Sequence, residues 1–195
     1  MGKIFYIMGK SAAGKDKIYS RIVSNEELSL KKMILYTTRP IRAEEKNGRE
    51  YFFTDDSELK KMELQGRVIE RREYDTVHGI WTYFTADDGQ VDLEKSDYLG
   101  IGTLESFVKL RKYYGEESVI PIYIQVENGE RLTRALLREK SQDRPRYAEM
   151  CRRFLADEED FSEENIQKAG IVKRFENTDL DICVEEIVKY IKSVQ

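Results

Sequence analysis

The chain opens with a short apolar run, residues 3–8, that leads straight into Gly9-Lys10-Ser11-Ala12-Ala13-Gly14-Lys15-Asp16. A strand-like run, a glycine-bounded turn and a helix-like stretch from Lys15 put strong limits on the fold. The turn has to sit where a buried strand ends and a helix begins. Through Lys15 it fits the phosphate-binding pattern G-x-x-x-x-G-K-S/T. The glycines let the backbone bend tightly and aim successive N–H groups at phosphate oxygens. The helix adds its positive N-terminal end, and Lys15 adds a point charge for the outer phosphates. Asp16 breaks the pattern, standing where a hydroxyl would normally hold Mg2+.

The surrounding sequence predicts an α/β architecture. Strand signals fall at residues 3–8, 32–37, 50–53, 67–73, 81–85, 97–101 and 118–125, each short, rich in β-branched or aromatic residues and bounded by polar or turn residues. Helix signals fall at 15–23, 57–64, 104–113, 129–140, 147–161 and 181–194. Such alternation implies a parallel sheet covered by helices, with ligands at the carboxyl ends of its strands. Residues 38–85 are dense in short strands and read as a small β-rich insert. Residues 131–153 carry seven arginines (Arg131, Arg134, Arg138, Arg144, Arg146, Arg152 and Arg153) and read as helix, loop, helix. The run 156–164 reads as a solvated, charged helix face.

With 195 residues the chain has room for one well-buried domain. A formal net charge of -4 lacks the basic footprint of a nucleic-acid binder, but leaves room for a local arginine cluster to bind anionic substrates. Cys151 and Cys183 are the only cysteines, so neither a disulfide framework nor a zinc-ligand pattern is predicted. His78 is the only histidine and reads as a surface or loop residue rather than a general base. The first apolar run is too short for a secretory signal, Tyr6 breaks the myristoylation pattern, and no apolar stretch approaches the ~20 residues of a membrane span. A cytoplasmic protein is expected.

A second constellation runs from Thr37-Thr38-Arg39-Pro40-Ile41-Arg42 through Glu45 and Gly48 to Tyr51-Phe52-Phe53. Two guanidinium forks in a loop fixed by a proline can grip one phosphate from two sides. Residue type alone also allows a charged hairpin loop. In sequence this segment resembles the guanylate kinase family, whose loop T-T-R-x-x-R-x-x-E-x-x-G-x-x-Y-x-F it matches throughout. The resemblance covers nearly the whole chain. It implies a P-loop three-layer fold with a central parallel sheet, a monophosphate-binding insert and a helical lid. The implied division is a core of residues 1–37, 86–130 and 154–195, an insert of 38–85 and a lid of 131–153.

The resemblance further implies that ATP binds over Gly9, Lys10, Ser11, Ala12, Ala13, Gly14, Lys15 and Asp16, with Asn177 near adenine. Arg39, Arg42, Tyr51 and Tyr83 would hold the acceptor phosphate, with Glu45 supporting the arginine pair. Glu70 would take the adjacent donors of guanine, which one carboxylate can accept together, and Thr85 would also touch the base. Lys15, Arg134, Arg138 and Arg153 would stabilise charge on the transferring group. The implied reaction is ATP-dependent phosphorylation of GMP or dGMP in a cytoplasmic monomer or homodimer, with Mg2+ as cofactor and no nucleic-acid or membrane partner.

Several positions depart from the family pattern. Phe84 replaces a glycine, and the segment between Glu70 and Tyr83 is longer than usual. Gly100 and Gly102 stand where Asp-x-Asp is usual, and Leu35 replaces a guanine-contacting serine. Asp16 is therefore expected to compensate, as a metal ligand, for the lost strand carboxylates. Two other readings stay open: a kinase for a sugar phosphate such as ribose 1,5-bisphosphate, and a non-catalytic binding module that resembles the fold.

Overall fold

A computed structural model describes residues 1–76 and 79–195; His78 lies outside them. Strand β1 (Ile4–Gly9) is buried at every position. It is followed by α1 (Lys15–Val23), β2 (Lys31–Lys32), β3 (Tyr36–Thr37), β4 (Phe52–Phe53), α2 (Asp56–Leu64), β5 (Val68–Thr76) and β6 (Gly79–Ala86). The second half holds β7 (Tyr98–Gly102), α3 (Leu104–Tyr114), β8 (Val119–Gln125), α4 (Asn128–Lys140), α5 (Tyr147–Asp160), α6 (Glu163–Lys168), β9 (Arg174–Glu176) and α7 (Leu180–Val194).

The larger sheet runs β2-β7-β1-β8-β9 and is parallel, with Ile4 beside both Tyr98 and Val119. Successive residues of a strand face opposite sides of a sheet, and β1 uses both. Ile4, Tyr6 and Met8 pack with Phe107, Leu110, Phe161 and Ile166, while Phe5 and Ile7 pack with Ile18, Ile22, Phe175 and Ile187. Helices therefore cover both faces. The phosphate-loop sequence leaves the carboxyl end of the central strand, where neighbours on either side diverge and ligands bind in open α/β sheets.

The insert is a second sheet, β4-β3-β6-β5, backed by α2, whose Leu59 and Met62 pack with Phe84 and Ala86 of β6. The single strand expected at 32–37 is two strands in two sheets. Met33 still bonds to Leu99 of β7 at 2.9 Å. The Gln90 side chain then takes both backbone groups of Ile34, at 2.7 and 3.0 Å, and by Leu35 the chain pairs with Phe52. Satisfying Ile34 from a side chain frees the backbone to change sheets. The strand expected at 50–53 is only two residues long, and β9 and α6 carry too few residues for periodicity to reveal them.

Candidate functional site

The turn between β1 and α1 is shaped by its glycines. A Cβ on Gly9 would lie 2.6 Å from the Ile124 carbonyl oxygen. Gly14 has φ 86, and a Cβ there would lie 2.4 Å from the Asn177 amide nitrogen. Ala12 also has positive φ, 62, a conformation that costs a residue with a Cβ roughly 1–2 kcal/mol. That strain is offset by contacts from distant elements. Asn177 is buried and donates from Nδ2 to the Ala13 carbonyl at 2.8 Å, while Arg134 donates to the Asn177 carbonyl at 3.0 Å. Asn177 thus ties the segment before α7 to the loop. It does not start that helix: Asp179 caps it, accepting from Asp181 and Ile182.

Helix α5 supplies the other clamp. The Ser11 N–H donates to Asp157 at 2.7 Å, and Lys10 donates to Glu158 at 2.8 Å. Arg131 is 1% exposed and joins them all: it donates to the Ser11 carbonyl at 3.1 Å, to Asp157 at 3.2 Å and to Glu158 at 2.7 Å. Its guanidinium also stacks on Phe154. Asp157 and Glu158 therefore face the loop, correcting the reading of 156–164 as a solvated face. Charge composition could not show it, because a helix run of acids looks the same whichever side packs.

The arginine loop is tied together by its own side chains. Arg39 is 3% exposed. Its terminal nitrogens donate to both Glu45 oxygens at 2.9 and 2.7 Å, and its Nε donates to the Tyr83 hydroxyl at 3.1 Å. The bond to Glu45 holds the Arg39 pKa above its ordinary value and pulls the Glu45 carboxyl below the usual range. Glu45 also accepts from the Arg42 N–H at 2.9 Å, leaving the Arg42 side chain exposed. Tyr51 lies edge-on to Tyr83 at 5.5 Å and under Arg39 at 5.7 Å. Burial raises its phenol pKa, and its hydroxyl feels Tyr83, Arg39, Arg72 and Asp16. The charge of Asp16, at the start of α1, therefore reaches the Tyr51 hydroxyl, which puts the two loops within electrostatic range of each other.

The far end of this face differs from expectation. Arg72 pairs with Tyr83 in the β5–β6 ladder, and Glu70 with Thr85, so all four lie on the same side of the insert. Glu70 is wholly covered: Arg72 donates to its two oxygens at 3.0 and 3.4 Å, and Thr85 donates to one of them at 2.8 Å. Arg72 also reaches Thr103 at 3.3 Å. Burial works against the Arg72 charge, and Glu70 together with Tyr6 and Tyr74 more than restores it, so its pKa stays above the ordinary value. A cleft of about 750 Å3 between β5 and α3 is lined by Arg72, Tyr74 and Thr103, among others. Sequence does not single out Arg72: Arg67, just ahead of β5, and Arg71 and Arg72 on it lie within six residues, and nothing local marks which one turns inward.

Gly100 and Gly102 have a separate cause. A Cβ on Gly102 would lie 2.0 Å from the Tyr6 hydroxyl, and one on Gly100 2.7 Å from the Tyr6 ring. Tyr6 is fully buried, with its hydroxyl 2.7 Å from Ser106. The space beside these glycines is filled by a tyrosine, so their loss of carboxylates follows from packing. The strand thus carries no carboxylate here, and Asp16 is the exposed acid in the first turn of α1.

Helices α4 and α5 with their connection present the arginine-rich surface. Arg138, Arg146 and Arg153 line, with Ser11 and Phe154, a cleft of about 200 Å3 against the phosphate loop. Arg134 pairs with Glu130 at 2.8 Å, and Arg153 with Glu149 at 2.8 Å. The Arg138 guanidinium has no ion pair among the described residues. Among the described residues no group of three or more His, Cys, Asp or Glu side chains is placed to hold a metal ion, and no helix is long and apolar enough to cross a membrane.

Comparison with known proteins agrees with this geometry. The sequence model of the guanylate kinase family matches residues 1–193. The guanylate kinase of Porphyromonas gingivalis is 28% identical over 194 residues, 98% of this chain and 97% of that protein. That of Nitrosomonas europaea is 40% identical over 79 residues, 40% of this chain and 37% of that protein. The crystal structure of guanylate kinase from Anaplasma phagocytophilum superposes with a TM-score of 0.65 at 19% identity, covering 100% of this chain and 86% of that one; at this identity the likeness speaks for the fold. A match over essentially its whole length places this chain in the guanylate kinase family.

Proposed function

We propose that this chain transfers the γ-phosphoryl group of ATP to GMP or dGMP. The observation that carries the reading is the gripped arginine: Arg39, locked by both oxygens of Glu45 and by Tyr83, in a loop within electrostatic range of the start of α1. In this reading residues 38–85 hold the monophosphate, 131–153 form the lid and the remainder is the core. Arg39, Arg42, Tyr51 and Tyr83 bind the acceptor phosphate. Glu70 and Thr85 belong to the base end. Gly9, Lys10, Ser11, Ala12, Ala13, Gly14, Lys15 and Asp16 cradle ATP, with Asn177 fixing the cradle from behind.

The acceptor phosphate oxygen is itself a nucleophile, so the reaction needs no general base and places no demand on His78. Catalysis is then a matter of positioning and charge. Arg39 and Arg42 hold the attacking phosphate in line, and Lys15 and Arg138 face the oxygens on which charge spreads. Arg134 and Arg153 would add to this by exchanging Glu130 and Glu149 for phosphate. The donor set suits Mg2+, an ion held through one or two carboxylates and the substrate's own phosphates, with exposed Asp16 as the protein's carboxylate. When bound, the ion would neutralise phosphate charge. The same reading gives a cytoplasmic monomer or homodimer whose partners are nucleotides, with nucleic acid and membrane outside them. A coupled ADP-release assay with GMP, dGMP, AMP, UMP and ribose 1,5-bisphosphate tests it; turnover confined to the sugar bisphosphate would refute it.

A further inference from the structure

We propose that Arg72, held in place by Glu70, reads the base of the acceptor, and that the chain therefore phosphorylates 6-oxopurine nucleoside monophosphates with or without a 2-amino group. This deepens the reading above and rests on it. A carboxylate that reads guanine directly must be reachable, and Glu70 is not. Its side chain is 0% exposed, whereas Arg72 keeps 9% of its own. One Glu70 oxygen takes Arg72 and Thr85 together, and the other takes the Arg72 Nε. A ligand in the cleft between β5 and α3 therefore meets the guanidinium first.

An arginine has five N–H donors. Here Nε and one Nη2 hydrogen go to Glu70, and one Nη1 hydrogen goes to Thr103. One hydrogen on each terminal nitrogen is left over. Two donors at that spacing match two adjacent acceptors, and the O6 and N7 atoms of a 6-oxopurine are such a pair. Adenine would set an amino donor against a donor. The 2-amino group of guanine lies on the other edge of the ring and goes unread. Glu70 is then a positioning residue: its two oxygens fix the plane of the fork. The position fits the acceptor, because Arg72 stands directly across the ladder from Tyr83, which touches the phosphate-gripping Arg39.

The test is steady-state ADP release by the full chain with GMP, IMP, 7-deaza-GMP and AMP. IMP is expected within about threefold of GMP in kcat/KM, since neither free donor of Arg72 addresses the 2-amino group. Replacing N7 with carbon removes one charge-assisted bond and should cost roughly 10- to 100-fold. AMP should fall by about 1,000-fold or more. If IMP falls tenfold or more below GMP while 7-deaza-GMP matches it, a different group reads the opposite edge and the proposal is overturned, with the GMP kinase reading intact. If GMP itself is not turned over, that reading fails and the proposal with it. Arg72→Gln alone strands a buried Glu70, so the variant of choice is the neutral double change Glu70→Gln with Arg72→Gln. It should shrink the GMP-over-AMP preference by about tenfold or more and abolish the 7-deaza penalty; a folded double variant that keeps both would overturn the proposal.

Discussion

At the scale of single residues, the site is set by contacts that close over long sequence distances. Gly102 is required by Tyr6. Gly102→Ala would press a methyl group onto the Tyr6 hydroxyl, 2.0 Å away, and onto Ser106 Oγ, 2.8 Å away, and should cost about 1–3 kcal/mol as overpacking does. Adding Tyr6→Phe removes the first clash, so the double variant should regain part of the loss in urea denaturation; strict additivity would show that Tyr6 is not the cause. Glu45 carries the pH dependence. Its carboxyl is held below the usual range by Arg39. A depressed folded pKa gives a contribution that is complete above the unfolded value of ~4.3 and is lost as pH falls through the folded one. The KM for GMP should therefore follow the second ionisation of the substrate's own phosphate, at pH ~6, with the Glu45 contribution lost only below about 4.5. Glu45→Gln should raise that KM by about tenfold at neutral pH, with kcat changed less, as loss of one charge-assisted bond predicts.

At the scale of elements, what sequence revealed and what it concealed divide by distance along the chain. The turn at Gly9–Lys15 and the loop from Thr37 to Phe53 are contiguous, so their chemistry is legible in one pass. The pairing of Arg72 with Thr103 spans 31 residues and that of Tyr6 with Ser106 spans 100; nothing local announces either. The same holds for α5, whose acids meet the phosphate loop from 146 and 148 residues away. Asp157 occupies the Ser11 N–H, one of the amides that such a turn aims at phosphate. Asp157→Asn should therefore have opposed effects. It weakens a buried, charged network and should cost about 1–3 kcal/mol in denaturation. It also removes negative charge from beside the bound phosphates and should tighten ATP by roughly threefold to tenfold in a fluorescence titration. Weaker ATP binding would mean that Asp157 shapes the loop for nucleotide rather than competing with it.

For the whole molecule, three separate parts bring cations to the proposed site: α1 brings Lys15, the insert brings Arg39 and Arg42, and α4 with α5 bring the lid arginines. Their pairing divides them by task. Arg131 is buried and engaged on two carboxylates and on the Ser11 carbonyl. Such a group builds the framework, and removing it leaves carboxylates without their charge partner. Arg131→Ala should cost about 3–5 kcal/mol. Arg138 is the opposite case: exposed, without an ion pair among the described residues, and beside Ser11 in the cleft against the phosphate loop. An unpaired guanidinium there has nothing to stabilise until phosphate arrives. Arg138→Ala should then leave stability within about 0.5 kcal/mol of the parent, yet lower kcat by roughly 100- to 1,000-fold, as loss of one charge-stabilising donor does. Thermal unfolding measured beside steady-state kinetics separates the two arginines. A kcat unchanged in Arg138→Ala would remove α4 from the chemistry and leave the lid a cover against water alone.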